Sequence, residues 1–226
     1  MSSRVLRNYT RARMLDLPWT PRERRLIKRL RTPLAIELWL RSLKYNREPD
    51  GETLRSFRRV IDDEQAHCLE GALAAAAILE NYGHPPLLLD IESRDLIDHV
   101  VYAYRMPSGW GAIGTSKYPG LKGRKPLFRS VRDLALSYAD PFFDYTGNVK
   151  GFGIFDLRDL PARSDWRFSP RNLWAVQNTL LTMRHEKVRL PKARERRWRK
   201  FYLAFKREHP NEEPPASAYP GHERWR

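Results

Sequence analysis

The 226-residue chain has one cysteine, so it cannot form an internal disulfide. A lone thiol in an otherwise ordinary composition points to a reducing compartment, the cytoplasm. Apolar runs are short. None approaches the roughly 20 residues that cross a bilayer, and the longest candidate, Leu69 to Leu79, is alanine-rich. Met1 to Leu15 is polar and arginine-rich and lacks the apolar centre of a secretory signal. Internal repeats and low-complexity segments are missing. Gly147 to Gly153 holds three glycines but lacks the Lys-Ser/Thr pair of a phosphate loop. The six histidines and one cysteine show no metal-ligand spacing, so neither a metal nor a cofactor is expected. His67 and Cys68, taken as neighbours on one helix, diverge by about 100° and do not share a metal.

Charge is abundant, at a formal net of +15, but it is unevenly placed. Residues 1–31 hold 10 Lys/Arg against 2 Asp/Glu, and residues 184–209 hold 11 against 3. Elsewhere 21 basic and 22 acidic residues nearly cancel. Basic ends of this kind follow phosphate backbones, so nucleic acid is a partner to weigh. An acidic protein partner or a solvated helix face explains the same charge.

The pattern reads as an α+β protein in three parts: a helical region at 1–60, a core with its extension at 61–182, and a basic C-terminal helix with a loose tail at 183–226. Pro21 to Leu30 and Pro33 to Leu43 read as helices with proline in the first turn. Thr53 to Val60 reads as a short helix. Asp62 to Tyr82 is the strongest helix signal, with Asp62 and Asp63 as caps and Ala74 to Ala77 at its centre. Leu87 to Ile91, His99 to Tyr104 and Trp110 to Ile113 read as strands, the last two joined as a hairpin by Pro107-Ser108-Gly109. A helix followed by an antiparallel meander is an α+β arrangement. Ser130 to Tyr138, Ser169 to Leu181 and Lys192 to Glu208 read as further helices. In the last of these, Trp198, Phe201, Tyr202 and Phe205 supply an apolar stripe. The final 17 residues hold four prolines and read as loose.

Cys68 falls in the first turns of the strongest helix. Free N–H groups there favour a thiolate, which is the nucleophilic form of cysteine. His99 opens a strand two elements later and is placed to take the thiol proton. Each residue alone has a plain structural reading, as a small buried hydrophobe and as a strand-edge histidine.

Taken together, Ala66-His67-Cys68-Leu69-Glu70-Gly71-Ala72, the break at Gly83-His84-Pro85, His99-Val100-Val101-Tyr102-Ala103-Tyr104 and Gly109-Trp110-Gly111-Ala112-Ile113 form an ordered set. This set resembles the transglutaminase-like superfamily of papain-type cysteine hydrolases, including uncharacterised bacterial members. It covers about residues 62–118, roughly a quarter of the chain. The resemblance implies a papain-like core, with the nucleophile helix packed on an antiparallel sheet and helices flanking it. It also implies cysteine-dependent acyl transfer on a peptide, amide or ester, with Cys68 as nucleophile and His99 as base. Hydrolysis is favoured over cross-linking because water is always available. The family places an aspartate after the tryptophan, and here that place is Gly114. Ser116 is the expected replacement for orienting His99, with Asp90 as its rival. Asp98, a chain neighbour of His99, points to the other face. The alternative function is a non-catalytic module of the same fold, whose basic ends dock nucleic acid or an acidic protein.

Overall fold

A computed structural model of the chain describes residues 15–144, 146–161 and 164–225. The described residues form seven α-helices and a six-stranded antiparallel sheet, an α+β architecture. In chain order the elements are α1 (Pro21–Arg29), α2 (Pro33–Ser42), β1 (Lys44–Tyr45), α3 (Phe57–Asp63), β2 (Gln65–Ala66), α4 (Cys68–Leu79), β3 (Leu87–Ser93), β4 (His99–Met106), β5 (Gly109–Ile113), β6 (Arg124–Phe128), α5 (Val131–Leu136), β7 (Val149–Asp156), α6 (Trp174–Thr182), β8 (Glu186–Lys187) and α7 (Lys192–Glu208). The large sheet runs β6-β5-β4-β3-β7-β8.

Helix α4 is the centre of the molecule. Every residue from Leu69 to Leu79 is buried. Alanine there combines the best helix propensity with a small side chain, so the helix lies close against its neighbours. At Gly71 an added Cβ would sit 2.7 Å from Thr115 Cγ2, so only glycine allows that approach. Leu73, Ile78 and Leu79 share one core with Val100, Tyr102 and Tyr104 of β4. Each such large apolar side chain contributes about 1.5–3 kcal/mol on burial. Leu26, Ile27, Ile36, Leu40 and Phe57 enter the same core, so residues 15–60 are part of it and not a separate region. The opposite face of the sheet is covered by α5 and the segment after it, with Val101 and Ala103 packed against Leu134 and Tyr138.

Two expectations need correction. The helix read as continuous over Asp62 to Tyr82 is broken before Cys68. Glu64 adopts a left-handed conformation at φ 51°, which stops α3. Gln65 and Ala66 then pair in parallel with Lys44 and Tyr45, and α4 starts anew at Cys68. Asp62 and Asp63 end α3 instead of capping α4, and Asp63 accepts a 2.6 Å bond from Arg55. The closing stretch, expected to be loose, is packed: Tyr219 and Trp225 are buried with Trp198 of α7. Trp225 bridges Arg124 at the edge of the sheet, and its ring lies 4.0 Å from the Arg124 guanidinium. No described helix is long and apolar enough to cross a membrane.

Candidate active site

Residue 68 owes its setting to the break that precedes it. Because α4 begins there, the Cys68 N–H is one of the four at the helix start without an intrahelical acceptor. The β1–β2 pairing also places Tyr45 beside the start of α4. Cys68, His67, His99, Tyr45, Ser116 and Tyr118 line one cavity of about 650 Å³. Cys68 is half-buried in its wall.

His67 is the N-cap of α4, with extended backbone at φ −91° and ψ −174°. The 100° divergence of helical neighbours therefore does not apply to it. Its Nε2 lies 3.0 Å from the Thr53 carbonyl oxygen. A carbonyl only accepts, so Nε2 carries the hydrogen and Nδ1 is left as the basic nitrogen. Glu70 and Glu48 stand close to the same Nε2, with carboxylate oxygens at 3.6 Å and 3.8 Å. Glu70 is fully buried. It accepts the His67 backbone N–H at 2.9 Å, the Arg55 backbone N–H at 2.9 Å and Arg55 Nη1 at 3.1 Å. It thereby ties the 46–55 loop to the first turn of α4, where a carboxylate also complements the helix dipole.

His99 is 4% exposed and reaches the cavity from the start of β4. Its Nε2 lies 2.7 Å from the Leu121 carbonyl oxygen, which again makes Nε2 the donor and Nδ1 the free nitrogen. The rings of Tyr138 and Phe142 pack beside it, with centroids at 5.8 Å and 6.4 Å.

Leu121 thus occupies the place for which the sequence suggests Ser116. The Ser116 hydroxyl instead accepts the Tyr118 backbone N–H at 3.1 Å. Asp90 is on the strand next to His99 but gives its Oδ2 to His185 at 2.9 Å. Asp98 accepts the Ser93 N–H at 2.7 Å. At Gly114 a Cβ would lie 2.7 Å from Val101 Cγ1, so the position offers no room for an aspartate.

The turn that carries Leu121 is held by two buried charges. Arg124, completely buried, donates to the carbonyls of Gly120, Lys122, Gly123 and Ser137 and to the Ser137 hydroxyl. The Tyr138 ring lies 3.8 Å from its guanidinium. Glu37 accepts the backbone N–H groups of Gly114 and Gly123 at 3.2 Å and 3.1 Å.

Electrostatics favour the thiolate. Burial alone would push the Cys68 thiol up. Hydrogen bonding to His67, and after it hydrogen bonding and charge from His99, outweigh that cost and bring the thiol down to about 5. Burial alone would lower His67. Its interaction with the Cys68 thiolate, followed by the charge of Glu70, raises it to about 9. These are two descriptions of one proton shared by a pair. Burial, and then the charge on Cys68, hold the Tyr45 phenol above its ordinary value, so it stays a neutral O–H donor near the sulfur.

The sequence reading passed over the roles of His67, Tyr45, Glu70 and the Leu121 carbonyl. His67 and Glu70 were open to view, because Glu three residues after an N-cap position is a helix-start signature. The Leu121 carbonyl carries no side-chain signal at all. No metal-binding cluster of His, Cys, Asp or Glu occurs among the described residues. On α7, Arg194 pairs with Asp140 at 2.5 Å and Glu195 with Arg94 at 3.5 Å, while Arg196 and Lys200 face solvent. The five cations Arg194, Arg196, Arg197, Arg199 and Lys200 therefore do not form one uniform free stripe. No protein-family model matches the chain, and no curated protein is significantly similar to it.

Proposed function

We propose that this protein is a cysteine-dependent acyl-transfer enzyme, an amidase or peptidase-type hydrolase on a papain-like, transglutaminase-like core. One observation carries the reading: a thiol at the first residue of a buried helix, between two imidazoles, opens on a cavity. The Cys68 thiolate attacks the carbonyl carbon of an amide or ester. The oxyanion that forms accepts from the Cys68 N–H, with the Tyr45 hydroxyl as a second donor. The proton held by the imidazoles beside the sulfur passes through His99 to the leaving amine or alkoxide as the C–N or C–O bond breaks, and leaves His99 neutral. Its Nδ1 then takes a proton from water, whose oxygen attacks the acyl-enzyme. The thioester opens to the carboxylic acid and the thiolate returns.

The Leu121 carbonyl supports this chemistry in part. It fixes the tautomer, which is one duty of the aspartate in a triad, but it offers no full negative charge to an imidazolium.

The cavity rim supports a substrate class. Glu48, Glu52, Asp95, Asp98 and Asp144 line it, against the cations Arg47 and Lys117. This acidic cleft in a chain of net charge +15 suits an acyl group or leaving group that carries an amine or guanidinium.

The test is an acyl-enzyme trap. The full chain is mixed with p-nitrophenyl acetate. The expected result is a burst of one nitrophenolate per chain and an acetyl group on Cys68 by mass spectrometry, both lost in Cys68→Ser. Cationic p-nitroanilides should then be cleaved ahead of acidic ones. A chain that shows no burst and takes no label on Cys68 is the non-catalytic module instead.

A further inference from the structure

We infer that His67, the residue just before the nucleophile, carries the positive charge that keeps Cys68 a thiolate, which leaves His99 free to move the proton during turnover. The assignment rests on the reading of Cys68 as the nucleophile and divides the work of its two neighbours.

Their surroundings differ in charge. Around His67 stand Glu70 at 3.6 Å and Glu48 at 3.8 Å from Nε2, with the Thr53 carbonyl at 3.0 Å. Two cations belong to this group: Arg55 is shared, with Nη1 to Glu70 at 3.1 Å and Nε to Asp63 at 2.6 Å, and Arg59 Nη2 lies 3.5 Å from Asp63. Asp63 is thus neutralised from outside, and Glu70 and Glu48 beside the ring share only Arg55, a negative excess that an imidazolium satisfies. The other titratable groups close to this centre are Cys68 itself, Tyr45 and His99. Tyr45 remains neutral, so it adds no competing charge.

Around His99, Nε2 meets a neutral carbonyl, the neighbouring rings are Tyr138 and Phe142, and no carboxylate forms an ion pair with it among the described residues. That setting orients His99 without setting a counter-charge beside it.

The geometry also explains how His67 reaches the sulfur. An N-cap residue has extended backbone, and with Nε2 fixed on Thr53, Nδ1 is the ring nitrogen left for hydrogen bonding to Cys68. The charge also sits at the positive end of α4, an unfavourable place for a cation. It is held there because the thiolate and Glu70 occupy the same helix start.

The experiment is iodoacetamide labelling of Cys68 against pH in the full chain, as wild type, His67→Asn and His99→Asn. Asparagine is a good N-cap, so His67→Asn keeps the helix start while removing the charge. The wild-type midpoint is expected well below the ordinary 9.0. His67→Asn should raise it by at least one unit, close to a tenfold loss of labelling rate at pH 4, below both midpoints. His99→Asn should raise the midpoint by less than His67→Asn does, while nitrophenyl ester turnover stops at the acyl-enzyme. A low wild-type midpoint that moves only in His99→Asn overturns this assignment and leaves the nucleophile reading standing. An ordinary wild-type midpoint overturns both. Should His67→Asn fail to fold, ring-nitrogen NMR on the wild type reads the same question. The His67 imidazolium should persist at pH 8 and revert to ordinary titration in Cys68→Ala, and a neutral His67 ring at pH 8 overturns the proposal.

Discussion

His67 and His99 reach Cys68 from scaffolds built in different ways. His67 is held by a short stretch of chain. Thr53, Glu48, Arg55 and Glu70 all lie within about 20 residues of it, and their polar side chains bond to backbone and to one another. His99 is held from a distance. Its carbonyl partner is 22 residues away, on a turn clamped by Arg124, Glu37 and the C-terminal Trp225. The first scaffold concentrates charge at a helix start. The second keeps its charges on the turn, meets the imidazole with a neutral carbonyl, and fixes only orientation. In the proposed reaction, a nucleophile that is ionised before it acts and a base that changes protonation as it acts call for these two different supports.

The comparison is sharpened most by breaking the distant scaffold. Arg124→Met leaves the carbonyls of Gly120, Lys122, Gly123 and Ser137 without their donor. Buried acceptors left unsatisfied cost about 1–3 kcal/mol each, so a loss of about 3 kcal/mol or more is expected. Denaturant unfolding followed by circular dichroism measures it. Ester turnover should fall with it under folded conditions, while the Cys68 labelling midpoint stays in place. A shift of that midpoint would mean the two supports are not independent.

The local scaffold is tested by Glu70→Gln. The amide keeps the shape, yet only its oxygen accepts, and the charge is gone. About 2 kcal/mol of stability should be lost, since hydrogen bonds to a charged group weaken. The Cys68 labelling midpoint should rise, whereas in Arg124→Met it stays in place.

Acid should separate the pair from the rest of the molecule. The depressed Cys68 thiol contributes stability that is present above 9.0 and lost as pH falls to about 5. The raised His67 contributes stability that is present below 6.5 and lost as pH rises to about 9. Between 6.5 and 9 the two slopes cancel, because folded and unfolded chains bind the same number of protons. The net loss falls on the acid side, from 6.5 down to 5. Thermal unfolding of the wild type against Cys68→Ala should converge over that window. Curves that stay parallel would remove the ion pair.

The smallest effect concerns a third region, the basic helix α7. Arg196→Gln, Lys200→Gln and Arg207→Gln together should leave stability within about 0.5 kcal/mol, as exposed substitutions do. If duplex DNA binds, its log affinity should lose about 0.9 of salt slope for each phosphate contact removed. Binding that is absent, or unchanged in the triple variant, assigns this charge to solvation or to an acidic protein.

Several features were legible in the chain. Proline after threonine announced α1 and α2, and Thr20 and Thr32 do cap them. The alternation around Pro107-Ser108-Gly109 announced the β4–β5 hairpin, which pairs Met106 with Gly109. Alanines announced α4 but not its start, because Glu64 in a left-handed turn interrupts a run of good helix formers. Strand β6 was missed. Pro126 and charged residues hide its pattern, and only pairing with β5 makes it a strand.

The sequence by itself determined the α+β character, the single thiol, and the placing of Cys68 near a helix start and His99 at a strand start. These follow from local propensity, turn chemistry and periodicity, which act over a few residues. Tertiary structure alone decided what those side chains meet. Parallel pairing of residues 44–45 with 65–66 sets the first residue of α4 and turns His67 into its cap. Packing of Val101 against Gly114 leaves no room there for an aspartate, and the Leu121 carbonyl is the group that meets His99 Nε2. A backbone carbonyl is common to every residue, so its position is a consequence of how distant segments pack and leaves no trace in the order of side chains.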